Sequence, residues 1–159
     1  MNRVGFGFDL HPLVAGSPLV LGGVSVPSEV GLDGHSDADV LTHAVGEALL
    51  GALALGDLGR HFPDTDPRWR GVSSLLLLGQ VIELVRGRGA TPVNVDATVL
   101  AQAPKLASHL PEMAKRLADA LGISLDRVSV KAKSPEGLGL VGRREGIAAM
   151  AVVSLDVHE

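Results

Sequence analysis

Short strand-like runs alternate with longer helical ones along this chain, without a strict βαβ repeat, and that order predicts an α+β fold. The expected architecture is a two-layer sandwich: a mixed β-sheet with helices packed on one face. Size agrees, since 159 residues with 46% apolar content suffice for one domain spanning 1–159 with a real core. Aromatic residues make up only 3%, so that core must be aliphatic, built from Leu, Val, Ala and Ile.

Each element has its own signature. The apolar run 4–8 is short and reads as a strand ending at Asp9. Residues 19–26 have strand-like ends around Gly22-Gly23, which suggests a hairpin or bulged ribbon stopped by Pro27. A loop at 28–34 follows. From Ser36 to about Leu55 the pattern is helical and apolar on most faces, as in a buried helix, and Ser36 with Asp39 reads as a capping box. Gly56-Asp57-Leu58-Gly59 ends it. Two prolines and two aspartates make 61–67 a loop. Residues 72–87 form a second helix with the row Leu75, Leu78, Ile82 and Val85. Val93, Val95, Ala97 and Val99 alternate with polar residues as a half-buried strand. A turn at 101–105 leaves that strand. Leu110, Met113, Leu117 and Leu121 mark a third helix closed by Gly122. Val128, Val130 and Ala132 alternate as another strand, 134–145 is a glycine-rich loop, and 146–157 is a largely apolar, central strand.

Composition narrows the function. A formal charge of −4 argues against general nucleic-acid binding, because it offers no footprint for a phosphate backbone. Without cysteine, neither disulfides nor thiolate metal sites arise. No signal-peptide core and no membrane-length apolar run are visible, so a soluble, cytoplasmic protein is expected.

Chemistry concentrates early in the chain. Asp9 and His11 sit two apart, which in an extended strand puts both side chains on one face. With His43 on the first helix they offer one carboxylate and two imidazoles, the ligand set of a zinc site with an open fourth position. Four of the six histidines lie between positions 11 and 61. Plainer roles stand beside this: Asp9 as a strand end, His43 as a satisfied core histidine. Asp39, one turn before His43, is either a partner that orients its ring or simply the helix cap. His35 and Ser36 at a helix N-terminus suit an anion, or cap only. Asp64 and Asp66 are expected to hold hydroxyls or a cation, if they are more than a rigid turn. The 101–105 turn beside Lys105 suits a nucleotide base or phosphate. Lys131, Lys133, Arg143 and Arg144 gather near Glu136, a carboxylate suited to a hard cation such as Mg²⁺. An Asp/His/His cage around Zn²⁺ carries about +1 by ligand counting, which attracts a diphosphate.

The motifs Gly7-Phe8-Asp9-Leu10-His11, Leu21-Gly22-Gly23-Val24, His35-Ser36-Asp37-Ala38-Asp39 with His43, Gly56-Asp57-Leu58-Gly59, Phe62-Pro63-Asp64-Thr65-Asp66-Pro67, Asn94-Val95-Asp96, Ala101-Gln102-Ala103-Pro104-Lys105 and Gly142-Arg143 with Glu145-Gly146-Ile147 fill the chain in order. In these the chain resembles the 2-C-methyl-D-erythritol 2,4-cyclodiphosphate synthase family of the non-mevalonate isoprenoid pathway. The resemblance implies a homotrimer with active sites between subunits, acting on a small cytidine diphosphate substrate and binding neither nucleic acid nor membrane. It implies a lyase that cyclises 4-diphosphocytidyl-2-C-methyl-D-erythritol 2-phosphate and releases CMP. It places Zn²⁺ on Asp9, His11 and His43, and Mg²⁺ or Mn²⁺ on Glu136 with the substrate phosphates. It makes His35 and Ser134 the groups that stabilise developing charge. Substrate would further contact Asp9, His11, Ser36, Asp57, Leu58, Gly59, Phe62, Pro63, Asp64, Thr65 and Asp66. The cytidine would lie against Ala101, Gln102, Ala103, Pro104, Lys105, Leu106 and Ala107. Lys133, Ser134, Pro135, Glu136, Leu140 and Arg143 complete the implied contacts. The chain departs from the family where Lys133-Ser134-Pro135 replaces a run of threonines, Leu140 a phenylalanine and Arg144 a glycine. Those changes bear most on an axial cavity that, in the family, holds an isoprenoid-like diphosphate. A metal-dependent phosphohydrolase and a non-catalytic nucleotide or isoprenoid-diphosphate sensor are the rival expectations.

Overall fold

The computed structural model describes residues 1–158. Its main sheet has five strands in the order β4-β1-β7-β5-β6. These are β1 (Asn2–Ala15), β4 (Val30–Leu32), β5 (Ala90–Leu100), β6 (Val128–Lys133) and β7 (Gly146–Val157). Only β5 and β6 run parallel, so the sheet is mixed, as expected. The last strand is central: its apolar residues pair with β1 on one side and β5 on the other. A separate hairpin joins β2 (Leu19–Leu21) to β3 (Val24–Val26) through Gly22 and Gly23, both at positive φ, a conformation open to glycine at little cost.

The helices cover one face. These are α1 (Val40–Ala52), α3 (Ser74–Gly87) and α4 (Leu110–Leu121), with the single turns α2 (Leu58–His61) and α5 (Gly139–Gly142) between elements. α1 packs on β1 and β7, α4 on β6, and α3 on α1 and α4. Met113, Leu117 and Leu121 of α4 are buried, and Gly122 at φ 70 closes the helix with its N–H on Ala118 and Asp119 carbonyls. The core is aliphatic throughout.

Contact between α1 and β1 positions the site. Gly5 and Gly7 face the helix directly: a methyl group at Gly5 would overlap the carbonyl of Ala48, and one at Gly7 that of Ala44. Two strand residues advance about 6.7 Å and four helix residues about 6 Å, so the two backbones stay nearly in step. They run antiparallel. The next residue in the row, Asp9, therefore falls opposite the turn of α1 that carries His43.

Several boundaries differ from the sequence reading. β1 does not stop at Asp9 but runs to Ala15, because pairing with β7 continues through Pro12 and β4 takes over from Leu13. The expected loop at 28–34 contains that partner strand. α1 begins at Val40, not Ser36. Ala38 at φ 56 lies outside helical space, and the Asp39 carboxylate takes the Thr42 N–H, so the cap is Asp39 and no Ser36 capping box forms. α1 also ends at Ala52, with Ala54 at φ 56 turning the chain away before Leu55. Two short helical turns, α2 and α5, occupy stretches read as helix end and loop.

Candidate functional site

Asp9, His11 and His43 converge beside a cavity of about 190 Å³. Asp9 Oδ2 lies 3.0 Å from His11 Nε2 and 2.9 Å from His43 Nδ1. Among the described residues this is the one group of three or more such side chains close enough to share a metal ion. Ligands of a tetrahedral ion, at roughly 2.0–2.2 Å from it, stand only slightly farther apart than this, and the oxygen–nitrogen–nitrogen set suits a divalent ion with a position left open. The donor set fits.

Each imidazole is aimed by its far nitrogen. His11 Nδ1 donates to the Asp33 carbonyl at 2.9 Å, leaving Nε2 free to face the carboxylate. His43 is turned the other way, with Nδ1 toward Asp9 and Nε2 against the hydroxyls of Ser74 at 2.8 Å and Ser36 at 3.1 Å. Burial opposes ionisation of Asp9, but hydrogen bonds from His11 and His43, with their charge, outweigh it and hold the carboxyl far below the usual range. His11 is raised in turn, chiefly by its bond to Asp9.

Asp39 does not touch the His43 ring. Its buried carboxylate accepts four bonds, from the N–H groups of Gly22, Gly23 and Thr42 and the Thr42 hydroxyl, at 2.7–3.0 Å. It ties the β2–β3 hairpin to the start of α1. Burial pushes its carboxyl up, against four donors that favour the charge. The anion site expected at His35 and Ser36 has no helix N-terminus to use, because the helix starts later, at Val40, and Asp39 takes the Thr42 N–H there. His35 Nε2 instead donates to the Asp66 carbonyl at 3.1 Å. Asp66 caps the 3-10 turn Pro67–Trp69 and pairs with Arg68 at 2.6 Å. Asp57 caps α2 through the Arg60 N–H at 2.8 Å.

The residues singled out from the sequence separate into two groups. Asp9, His11, His35, Ser36, His43, Leu58, Gly59, Phe62 and Asp64 line the first cavity. A second groove is formed by Ala101, Gln102, Pro104, Lys105, Leu106, Ala107, Lys133 and Ser134 with Ala132, and it shares no residue with the first. Gln102 accepts the Gly137 N–H at 2.9 Å, fastening the loop of Glu136 to the 101–105 turn. Glu136, at φ 55, belongs to that side and not to the Asp–His–His group. Leu140 lines a third hollow with Leu10, His11, Pro12, Glu145 and Gly146. The cations gathered around Glu136 in the sequence are dispersed: Lys131 pairs with Asp96 at 2.6 Å and Arg143 with Glu145 at 2.7 Å.

Three lining residues escaped the sequence reading: Glu47, Trp69 and Leu77. Glu47 follows His43 by one helical turn, a spacing that puts the two on one face and was the available signal. Its Oε1 accepts the Leu58 N–H at 3.0 Å, and burial raises its carboxyl. Trp69 meets Phe62 edge-on at 5.2 Å.

A sheet covered by helices on one face, with a carboxylate and two imidazoles brought from strand and helix to one pocket, defines an α+β enzyme with a group able to bind a metal ion. The YgbB family model matches residues 2–156, and the chain belongs to that family. It is 60% identical over 154 residues to a 2-C-methyl-D-erythritol 2,4-cyclodiphosphate synthase of Gloeobacter violaceus, covering 97% of this chain and 94% of that protein. A solved 2C-methyl-D-erythritol-2,4-cyclodiphosphate synthase in its CDP-bound form superposes with a TM-score of 0.89 at 41% identity, over 97% of this chain and 100% of the other. The bifunctional IspDF of Campylobacter jejuni gives 0.95 at 40% identity, over 100% of this chain but 43% of that longer one.

Proposed function

We infer that the chain converts 4-diphosphocytidyl-2-C-methyl-D-erythritol 2-phosphate to 2-C-methyl-D-erythritol 2,4-cyclodiphosphate and CMP. An oxygen of the 2-phosphate attacks the β-phosphorus. The bond from that phosphorus to the oxygen bridging the α-phosphate breaks, and CMP leaves with the bridging oxygen. The reaction is intramolecular, so alignment of two phosphates is the main task of the protein. The observation that carries this reading is the Asp9–His11–His43 group at a pocket of a chain matched by its family over nearly its whole length.

Asp9, His11 and His43 would hold Zn²⁺, and Glu136 with substrate phosphates Mg²⁺ or Mn²⁺. When bound, such ions polarise phosphoryl oxygens and neutralise developing charge. His35 and Ser134 face that charge from the protein side. Leu58, Gly59, Phe62 and Asp64 enclose the methylerythritol, and the 101–107 turn with Lys105 receives the cytidine. Residues 1–159 act as one domain, in the cytoplasm. Among the described residues no helix is long and apolar enough to cross a membrane.

The active assembly is a homotrimer with sites between subunits. Two features support this. The sheet face opposite the helices leaves Val4, Phe6, Phe8, Leu10 and Val152 exposed, with Phe6 at 62% and Phe8 at 52%, a continuous apolar surface that a partner would cover. The cytidine groove and the Asp–His–His pocket are also separate cavities within one chain, as expected if each site borrows one half from a neighbour.

Incubation with the cytidyl substrate, Zn²⁺ and Mg²⁺ tests the reading. Release of CMP with a cyclic diphosphate in the phosphorus NMR spectrum is expected, whereas a linear phosphate product would identify a hydrolase instead.

A further inference from the structure

His11 and His43 are aimed by different kinds of partner. A carbonyl, which holds Nδ1–H of His11, can only accept, so it fixes one tautomer. A hydroxyl can donate or accept, and His43 Nε2 faces two of them. If Ser74 donated its proton to Nε2, the ring's hydrogen would sit on Nδ1, where an ion must bind. Something has to commit the Ser74 proton elsewhere.

The structure supplies that group. The Ser74 hydroxyl donates to Asp37 Oδ1, and the Ser74 N–H donates to Asp37 Oδ2 at 3.0 Å. Ser74 is 1% exposed and opens α3, so its side chain has no water to turn toward. Two backbone bonds zip the segments together, Asp37 N–H to the Val72 carbonyl at 3.0 Å and Gly71 N–H to the His35 carbonyl at 2.7 Å. The single hydroxyl proton is thus spent on the carboxylate. The Ser74 oxygen must then accept from Nε2–H, which leaves Nδ1 as the nitrogen that gives up any proton it shares with Asp9 when an ion binds.

We propose that Asp37 and Ser74 form a positioning relay that fixes the tautomer and ring orientation of His43 for metal binding, with Ser36 as a second, weaker acceptor of the same N–H. This rests on the metal reading above and extends it to Asp37 and Ser74, which lie behind the cavity lining. Partners of this kind, when removed, cost about 10–100-fold in metal affinity.

The test uses the full-length protein, stripped of metal and titrated with Zn²⁺ against a chromophoric chelator. Wild type is expected to bind one ion at the His43-dependent site, and His43→Ala to lose it. Ser74→Ala is expected to bind about 10–100-fold more weakly, while Ser74→Thr, which keeps the hydroxyl, stays within about threefold. A second readout needs no metal. In Asp9→Ala the carboxylate that competes for the Nδ1 proton is gone, and nitrogen-15 NMR of that metal-free variant at about pH 8.5, above the imidazole range, is expected to show the Nε2–H tautomer of His43. A dominant Nδ1–H tautomer, or wild-type zinc affinity in Ser74→Ala, overturns the relay and leaves the metal reading standing. Equal zinc binding by wild type and His43→Ala removes the metal reading, while the tautomer still decides whether the relay exists.

Discussion

The Asp–His–His pocket and the groove at 101–107 are built in opposite ways. The pocket sits where a helix lies directly on a strand, and its groups are fastened by half-buried or buried bonds: Asp9 to both imidazoles, His43 to Ser36 and Ser74, Glu47 to α2. The groove lies at the end of an edge strand, with one side-chain bond, Gln102 to Gly137, joining its two rims. One region is finished within the chain; the other is a half-wall. On the function proposed above, the difference teaches that an ion site can be organised before assembly, whereas a nucleotide site at the groove would depend on what packs beside it.

Breaking each region should therefore have unequal effects. Gly7→Ala is expected to be the most damaging of these changes, because its methyl group would overlap the Ala44 carbonyl and the Ala48 nitrogen, all backbone, and α1 must move. A loss of more than about 3 kcal/mol is expected in urea unfolding. The matching change in the groove region, Gly137→Ala, meets no neighbouring atom and carries only the strain of φ 76, about 1–2 kcal/mol. Equal losses would erase the contrast.

Next in size is Asp39→Asn. Four donors face this side chain, and an amide would turn its own N–H₂ toward two of them. A loss of about 3 kcal/mol is expected from unfolding midpoints, with no change in the groove's affinity for CMP. Lys105→Ala tests the other region, and there the expectation is the reverse: stability unchanged, CMP affinity reduced about 3–10-fold in calorimetry, as for loss of one exposed charge contact.

Glu47→Gln should have the smallest effect and the clearest pH signature. Burial raises the folded-state pKa of Glu47 above its ordinary 4.5, so the ionised carboxylate costs stability at neutral pH. That cost is full above the raised value and vanishes below 4.5. Glutamine keeps the acceptor for Leu58 N–H without the charge. The metal-free variant should thus gain stability over wild type at neutral pH, and the gain should fade as pH drops through that window. A pH-independent difference would assign it to packing instead.

Much of this was legible in the residues, for identifiable reasons. The span Gly146–Val157 and the row Met113, Leu117, Leu121 read correctly because one is continuously apolar and the other strictly helical in period. Asp9, His11 and His43 were legible because the two-residue spacing survives in a strand, and the helix assignment was right. The true length of β1 was hidden by the polar and proline residues that interrupt its alternation, although pairing with β7 tolerates them. Ser74 and Asp37 were invisible as partners of His43, since a serine at a helix start and an aspartate near a cap have ordinary local explanations. Their meeting depends on two loops docking, which no local period encodes. The pairing of Lys131 with Asp96 is likewise a matter of strand register, whereas Arg143 and Glu145, two residues apart, form a local pair that the chain itself offered.

The glycine row on β1 has one more consequence. Peptide groups there rest against peptide groups, so the gap between the strand that carries Asp9 and the helix that carries His43 is a main-chain dimension. At Gly5 and Gly7 no side chain stands between the two walls, so the distance across which Asp9 faces His43 is governed there by packed peptide groups rather than by the size of any residue.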